Sequence, residues 1–75
     1  MIWEIKMANY RGRILETVRT HAKAHIDKHL MNVEVLVGSH VGVAEHPDII
    51  ETIEKELKMA AEYQDILDML DKFGT

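Results

Sequence analysis

There is no cysteine among the 75 residues, which removes disulfide staples and thiolate metal ligands together. A chain this short buries only about 60% of its unfolded surface, so its stability is marginal unless something supplements the core. Without cysteine, the remaining supplements are association with another chain and a metal ion held by histidine or carboxylate. Proline occurs once, at Pro47, and glycine four times, so the chain has few natural breaks. No stretch approaches the roughly 20 apolar residues of a membrane span, and the opening Met1-Ile-Trp-Glu-Ile-Lys-Met has no run suited to a signal peptide. The expectation is a soluble, cytoplasmic chain that does not engage a membrane.

Catalytic signatures are equally scarce. Ser39 is the single serine and sits in a Gly-Ser-His turn, not in the Gly-x-Ser-x-Gly elbow a hydrolase needs after a strand. No glycine loop is present to cradle a phosphate, and neither His-Glu-x-x-His nor Glu-x-x-His occurs. The expectation is a non-enzymatic protein with no cofactor.

What the chain does have is apolar content of 47%, too rich for disorder, and an uneven charge distribution within a net charge of −4. Residues 1–30 carry six basic groups against three acidic ones, a balance of +3. Residues 31–75 carry three basic groups against ten acidic ones, a balance of −7. The simplest use of this asymmetry is pairing within the protein, whereas a nucleic-acid binder leaves a basic face unneutralised. Arg11-Gly-Arg13 beside Tyr10 is too small a patch to hold nucleic acid alone. The acidic run of the second half reads as a solvated face paired to the basic first half, because its charges are spread through helical turns.

Two helices follow from the periodicity. Over residues 10–37, Ile14, Leu15, Val18, Ala22, Ile26, Leu30, Val33, Leu36 and Val37 share one stripe at 100° per residue, with charged residues opposite. The Val33, Val35, Val37 cluster does not make a strand, because Val33, Leu36 and Val37 continue the helical stripe. Gly12 is a weak point that invites a close backbone approach, and Gly38 is placed to stop the helix as a C′ residue. Residues 38–46 form the connection. Over residues 47–73, Ile50, Ile53, Leu57, Ala60, Gln64 and Leu67 step by threes and fours, a coiled-coil-like seam broadened by Tyr63, Ile66, Leu70 and Phe73. Pro47 suits the first helical position with His46 as its cap, and Asp48 with Glu51 three residues on is the competing start.

Helices of about 26–28 residues span roughly 40 Å each, and a short connection between equal helices folds them into an antiparallel hairpin. Facing residue numbers then add to about 85, setting His25 near Ala60 and Ala61, His21 near Gln64 and Lys23 near Glu62. Two helices alone cannot enclose stripes this wide. The fold class read from the sequence is therefore all-α: an antiparallel two-helix hairpin that dimerises into a four-helix bundle. Residues 1–9 form an apolar arm whose Ile2, Trp3, Ile5 and Met7 have no place inside the hairpin. With Tyr63, Ile66, Leu70 and Phe73 they are the interface candidates, toward a second copy or another protein.

The segments Met31-Asn-Val-Glu-Val-Leu-Val, Val41-Gly-Val-Ala-Glu-His-Pro-Asp-Ile-Ile, Ile53-Glu-Lys-Glu-Leu and Ala61-Glu-Tyr resemble small uncharacterised proteins of contractile-tailed marine cyanophages. The Gly-x-x-Glu-His-Pro-Asp turn is the most specific part. The resemblance covers about two thirds of the chain and leaves out the N-terminal arm. It implies a phage product in a bacterial cytoplasm, without a known activity.

His21, His25 and His29 recur every four residues on one side of the first helix. Histidines at that spacing can share a metal ion, with Glu56 or Glu62 added from the second helix. The plainer reading is a structural polar seam, in which a neutral imidazole packs if one nitrogen finds a partner. A pH-sensitive interface is the third reading. A further polar cluster, His40, Glu45, His46 and Asp48, falls in the connection, where capping of the second helix accounts for it.

Overall fold

The computed structural model describes residues 10–38 and 48–74, which form two α-helices and no strand: α1, Tyr10–Gly38, and α2, Ile49–Gly74. The arm residues Ile2, Trp3, Ile5 and Met7, and His40, Glu45, His46 and Pro47 of the connection, lie outside the described residues. Asp48 precedes α2 in a turn, and its carbonyl accepts the first helical bond from the Thr52 N–H at 2.9 Å. Of the two possible starts, Asp48 therefore holds the cap position. Thr52, rather than Glu51, adds the side-chain bond there, its Oγ1 donating to the same carbonyl at 3.0 Å. Glu51 in the first turn and Lys72 in the last complement the dipole of α2, whereas α1 has neither aid.

The helices run antiparallel. Leu15 approaches Gly74, Arg19 bonds Asp71, His25 stacks on Tyr63, and His29 and Asn32 bond Glu56. Each of these pairs of residue numbers adds to between 85 and 90, the hairpin register expected from a short connection.

The glycines behave differently from their sequence reading. Gly38 remains within α1, and no described glycine takes a positive φ. Space around Gly12 is open, with no backbone from α2 close by.

The seam of α2 is also rotated from the one the heptad steps suggest. Ile49, Ile53, Glu56, Ala60, Tyr63, Leu67, Leu70 and Gly74 are its buried or half-buried positions. Ile50, Leu57 and Gln64, assigned to the seam by their spacing, are exposed, Ile50 at 68%. The cause lies on α1, whose inner line carries His25, His29 and Asn32. Glu56 and Tyr63 satisfy those polar groups, and a buried polar group without a partner costs more than an apolar side chain left at the margin.

The resulting core is thin. Among the described residues only Ala22, His29, Ala60, Leu67 and Leu70 are buried, and no large side chain is fully withdrawn from water. Leu67 and Leu70 are the main apolar contributors, each worth roughly 1.5–3 kcal/mol by burial.

Candidate functional site

The three histidines form one continuous array with α2. Intervals of four place their rings up one side of α1, and Tyr63 of α2 enters among them. The Tyr63 ring stacks on His25 at 4.4 Å between centroids and 11° between planes. It lies 6.2 Å from His29, near-parallel, and meets His21 edge-on at 6.3 Å. His25 was expected opposite Ala60 and Ala61. The register carries it to Tyr63 instead, whose ring spans the gap between the helices.

At the connection end of the array a carboxylate joins it. His29 Nδ1 donates to Glu56 Oε1 at 2.8 Å, and Asn32 Nδ2 donates to the same oxygen at 2.8 Å. The His29 side chain is 7% exposed and the Glu56 side chain 24%, so the bond is largely sheltered. The hydrogen bonds from His29 and then Asn32 hold the Glu56 carboxyl below its ordinary pKa of 4.5, against an opposing push from burial. Glu62, the other carboxylate the sequence offered, is exposed and makes no bond to a histidine.

At the other end, His25 Nε2 and His21 Nε2 lie 3.2 Å apart. His25 Nδ1 is buried and has no hydrogen-bond partner. This decides the tautomer: with the proton on Nε2, His25 donates to His21 and only a lone pair is left at the buried Nδ1. The opposite tautomer would bury an N–H with nothing to accept it. Desolvation, then the neighbouring His21, Lys28 and His29, lower the pKa of His25 below 6.5. The neutral form of His25 is thus favoured.

Two Nε2 atoms at this separation also suit one metal ion with bonds of about 2.1 Å. Coordination would require the His25 proton on Nδ1, where a metal-bound histidine normally donates to a second partner and here finds none. His29 turns its Nδ1 away to Glu56, and among the described residues no group of three or more His, Cys, Asp or Glu is placed to hold a metal. Across the array, the bonds fit a polar lock between two helices better than a cation site.

The interface candidates divide. Leu70 is buried within the hairpin and Tyr63 half-buried against the histidines, so both are used by the chain itself. Ile66 and Phe73 are exposed, Phe73 at 69% with the Arg11 guanidinium 5.5 Å over its ring. Asn32 and the stacking role of Tyr63 were missed from the sequence. The hairpin register is the signal that finds them, since it sets both residues level with the histidine line. No described helix is long and apolar enough to cross a membrane. Compared with models of known protein families, with curated proteins and with solved structures, the chain matches none.

Proposed function

We propose that this chain is a non-enzymatic helical module whose task is association, first with a second copy of itself. One observation carries the reading. The hairpin buries almost nothing large, yet Tyr10, Ile14, Leu30, Ile50, Leu57 and Ile66 remain 41–68% exposed. A monomer rarely leaves so much apolar surface uncovered without a partner for it. Two copies, four helices in all, make the smallest assembly that covers one side of each hairpin, and the polar lock fixes each hairpin before it pairs. As part of the same proposal, the phage resemblance, which rests on the residues quoted above, gives the setting: a bacterial cytoplasm, with a host or phage protein as further partner.

Sedimentation at micromolar concentration tests the reading. A dimer or larger species is expected, with a melting temperature that rises with protein concentration. A monomer with cooperative, concentration-independent melting overturns it.

The alternative of a histidine-held metal has the 3.2 Å approach of His21 and His25 in its favour. Its test is the melting temperature at pH 7 with chelator, which falls if a metal supports the fold.

A further inference from the structure

The exposed apolar side chains are not spread evenly around the hairpin. Helix geometry, anchored by the observed contacts, sorts them onto two opposite flanks. The front flank is the side on which His25 meets Tyr63 and Asn32 meets Glu56. The back flank is the side on which Arg19 meets Asp71.

On the front, the exposed apolar residues Tyr10, Ile14, Val18, Ile66 and Phe73 fall in the half near Tyr10 and Gly74, the open end. The other half of the front, toward the connection, carries Lys28 and Lys55 beside Met59, all exposed. The back has the reverse arrangement. Its exposed Leu30, Val37, Ile50 and Leu57 fall in the connection half. Its open-end half carries the exposed carboxylates Glu16 and Asp68, with Lys23 near the middle.

This pattern discriminates among ways of pairing two copies. Front against front with ends aligned sets Lys28 and Lys55 against the same lysines of the other copy. Front against front with ends reversed lays the apolar half over the lysine half. Back against back with ends aligned opposes carboxylates to carboxylates. Front against back with ends reversed matches both halves together. The apolar open end of one copy then covers the apolar connection end of the next, and Lys28 and Lys55 come over Asp68 and Glu16. Like-charge juxtaposition costs affinity and complementary charge fixes register, so the last arrangement is favoured.

We propose that copies of this chain stack front to back with ends reversed, Lys28 of one copy facing Asp68 of the next and Lys55 facing its Glu16. The proposal rests on the self-association reading and names its interface. Each copy keeps one free front or back, so the contact is heterologous. A half-turn about the stacking direction combined with a step along it does not close, and assembly continues past the dimer.

Charge-reversal complementation tests it, read by sedimentation at low salt, with helicity by circular dichroism as the check on folding. The variants are K28E/K55E and E16K/D68K, at exposed positions. Each alone opposes like charges in the stack and is expected to associate at least about tenfold more weakly than the unaltered chain. Mixed in equal amounts, they restore attraction at both kinds of contact and recover its association. The unaltered chain is expected to show a series of masses that grows with concentration. If a reversal variant loses helicity, K28Q/K55Q and E16Q/D68N take its place, each expected to weaken association by a smaller factor.

A helical E16K/D68K, or E16Q/D68N in its place, that associates as tightly as the unaltered chain overturns the front-to-back contact. So does a discrete dimer that grows no further with concentration, and so does a mixture that fails to recover. The last two leave self-association standing. An unaltered chain that stays monomeric removes both readings.

Discussion

The two halves of the hairpin are held by different chemistry. Toward the connection, the helices meet through His29, Asn32 and Glu56, with His25 against Tyr63. Toward the open end they meet through Leu67, Leu70, Ala22 and Leu15, with Arg19 and Asp71 at the margin. The difference separates two jobs. Apolar contacts supply free energy without direction, because burial scales with area and many registers bury similar areas. Hydrogen bonds supply direction, because a slip of one residue would leave His29 and Glu56 unpaired in a sheltered place. The open half thus stabilises the hairpin and the connection half sets its register.

The sharpest way to break this comparison is Leu67→Ala. Leu67 is 9% exposed, and removing its side chain is expected to cost about 2 kcal/mol, the low end for a buried leucine, because so thin a core collapses readily around a gap. Urea unfolding at fixed protein concentration measures it. The same cost is expected at pH 7 and at pH 5, since no titrating group is involved. For contrast, Ile66 is 41% exposed, and Ile66→Ala is expected to lower stability much less while weakening self-association. A Leu67→Ala change below about 0.5 kcal/mol would mean that the apolar half does not carry the fold.

Acid is the next probe, and it acts on the other half. The folded pKa of His25 lies below its ordinary 6.5, so the unfolded chain binds the proton more readily. The contribution of neutral His25 is complete above the unfolded value and is lost as pH falls below it, toward the folded value. The folded pKa of Glu56 lies below its ordinary 4.5. Its contribution is likewise present above the unfolded value and is lost as pH falls through the folded one. Acidification therefore weakens the connection half in two stages, His25 first and Glu56 second. Unfolding of the unaltered chain, His25→Gln and Glu56→Gln from pH 7.5 to 3.5 separates them. The gap between the unaltered chain and His25→Gln is expected to narrow as pH falls below 6.5, and the gap to Glu56→Gln only below 4.5. Gaps that stay constant with pH would show that neither group's ionisation is linked to folding.

Much of this division could be read before any coordinates. The stripe from Ile14 to Val37 placed α1, the steps from Ile50 to Leu67 placed α2, and the short connection set the antiparallel register. The histidine spacing put His21, His25 and His29 on one side, and Glu56 was named as a carboxylate within reach. What could not be read was which part of a wide apolar stripe turns inward. Ile50 and Leu57 satisfy heptad spacing as well as Ile53 and Ala60 do, and periodicity alone does not rank them. That choice belongs to the polar groups of the facing helix, because His29 needs Glu56 inward and so rotates the seam of α2. Gly38 was misread for a related reason: glycine permits a left-handed turn without requiring one, and here the backbone stays helical to the end of α1.

The smallest effect expected is at the margin of the open half. Arg19 Nη1 and Asp71 Oδ1 are 2.9 Å apart, and a second carboxylate, Glu16, lies 3.8 Å from Arg19 Nε. By distance alone this pair rivals His29 and Glu56. Exposure reverses the ranking: the Arg19 and Asp71 side chains are 32% and 61% exposed, so water and salt screen their attraction. Arg19→Ala by itself would mislead, because the arginine stem also covers apolar surface and its loss removes packing. A double-mutant cycle with Asp71→Ala cancels that contribution and isolates the pair. The coupling is expected to stay below about 0.5 kcal/mol at physiological salt and to shrink further as salt is raised. A coupling above about 1 kcal/mol that resists salt would mean that an ion pair, and not Leu67 and Leu70, secures the open end. The contrast between an apolar half and a polar half would then no longer hold.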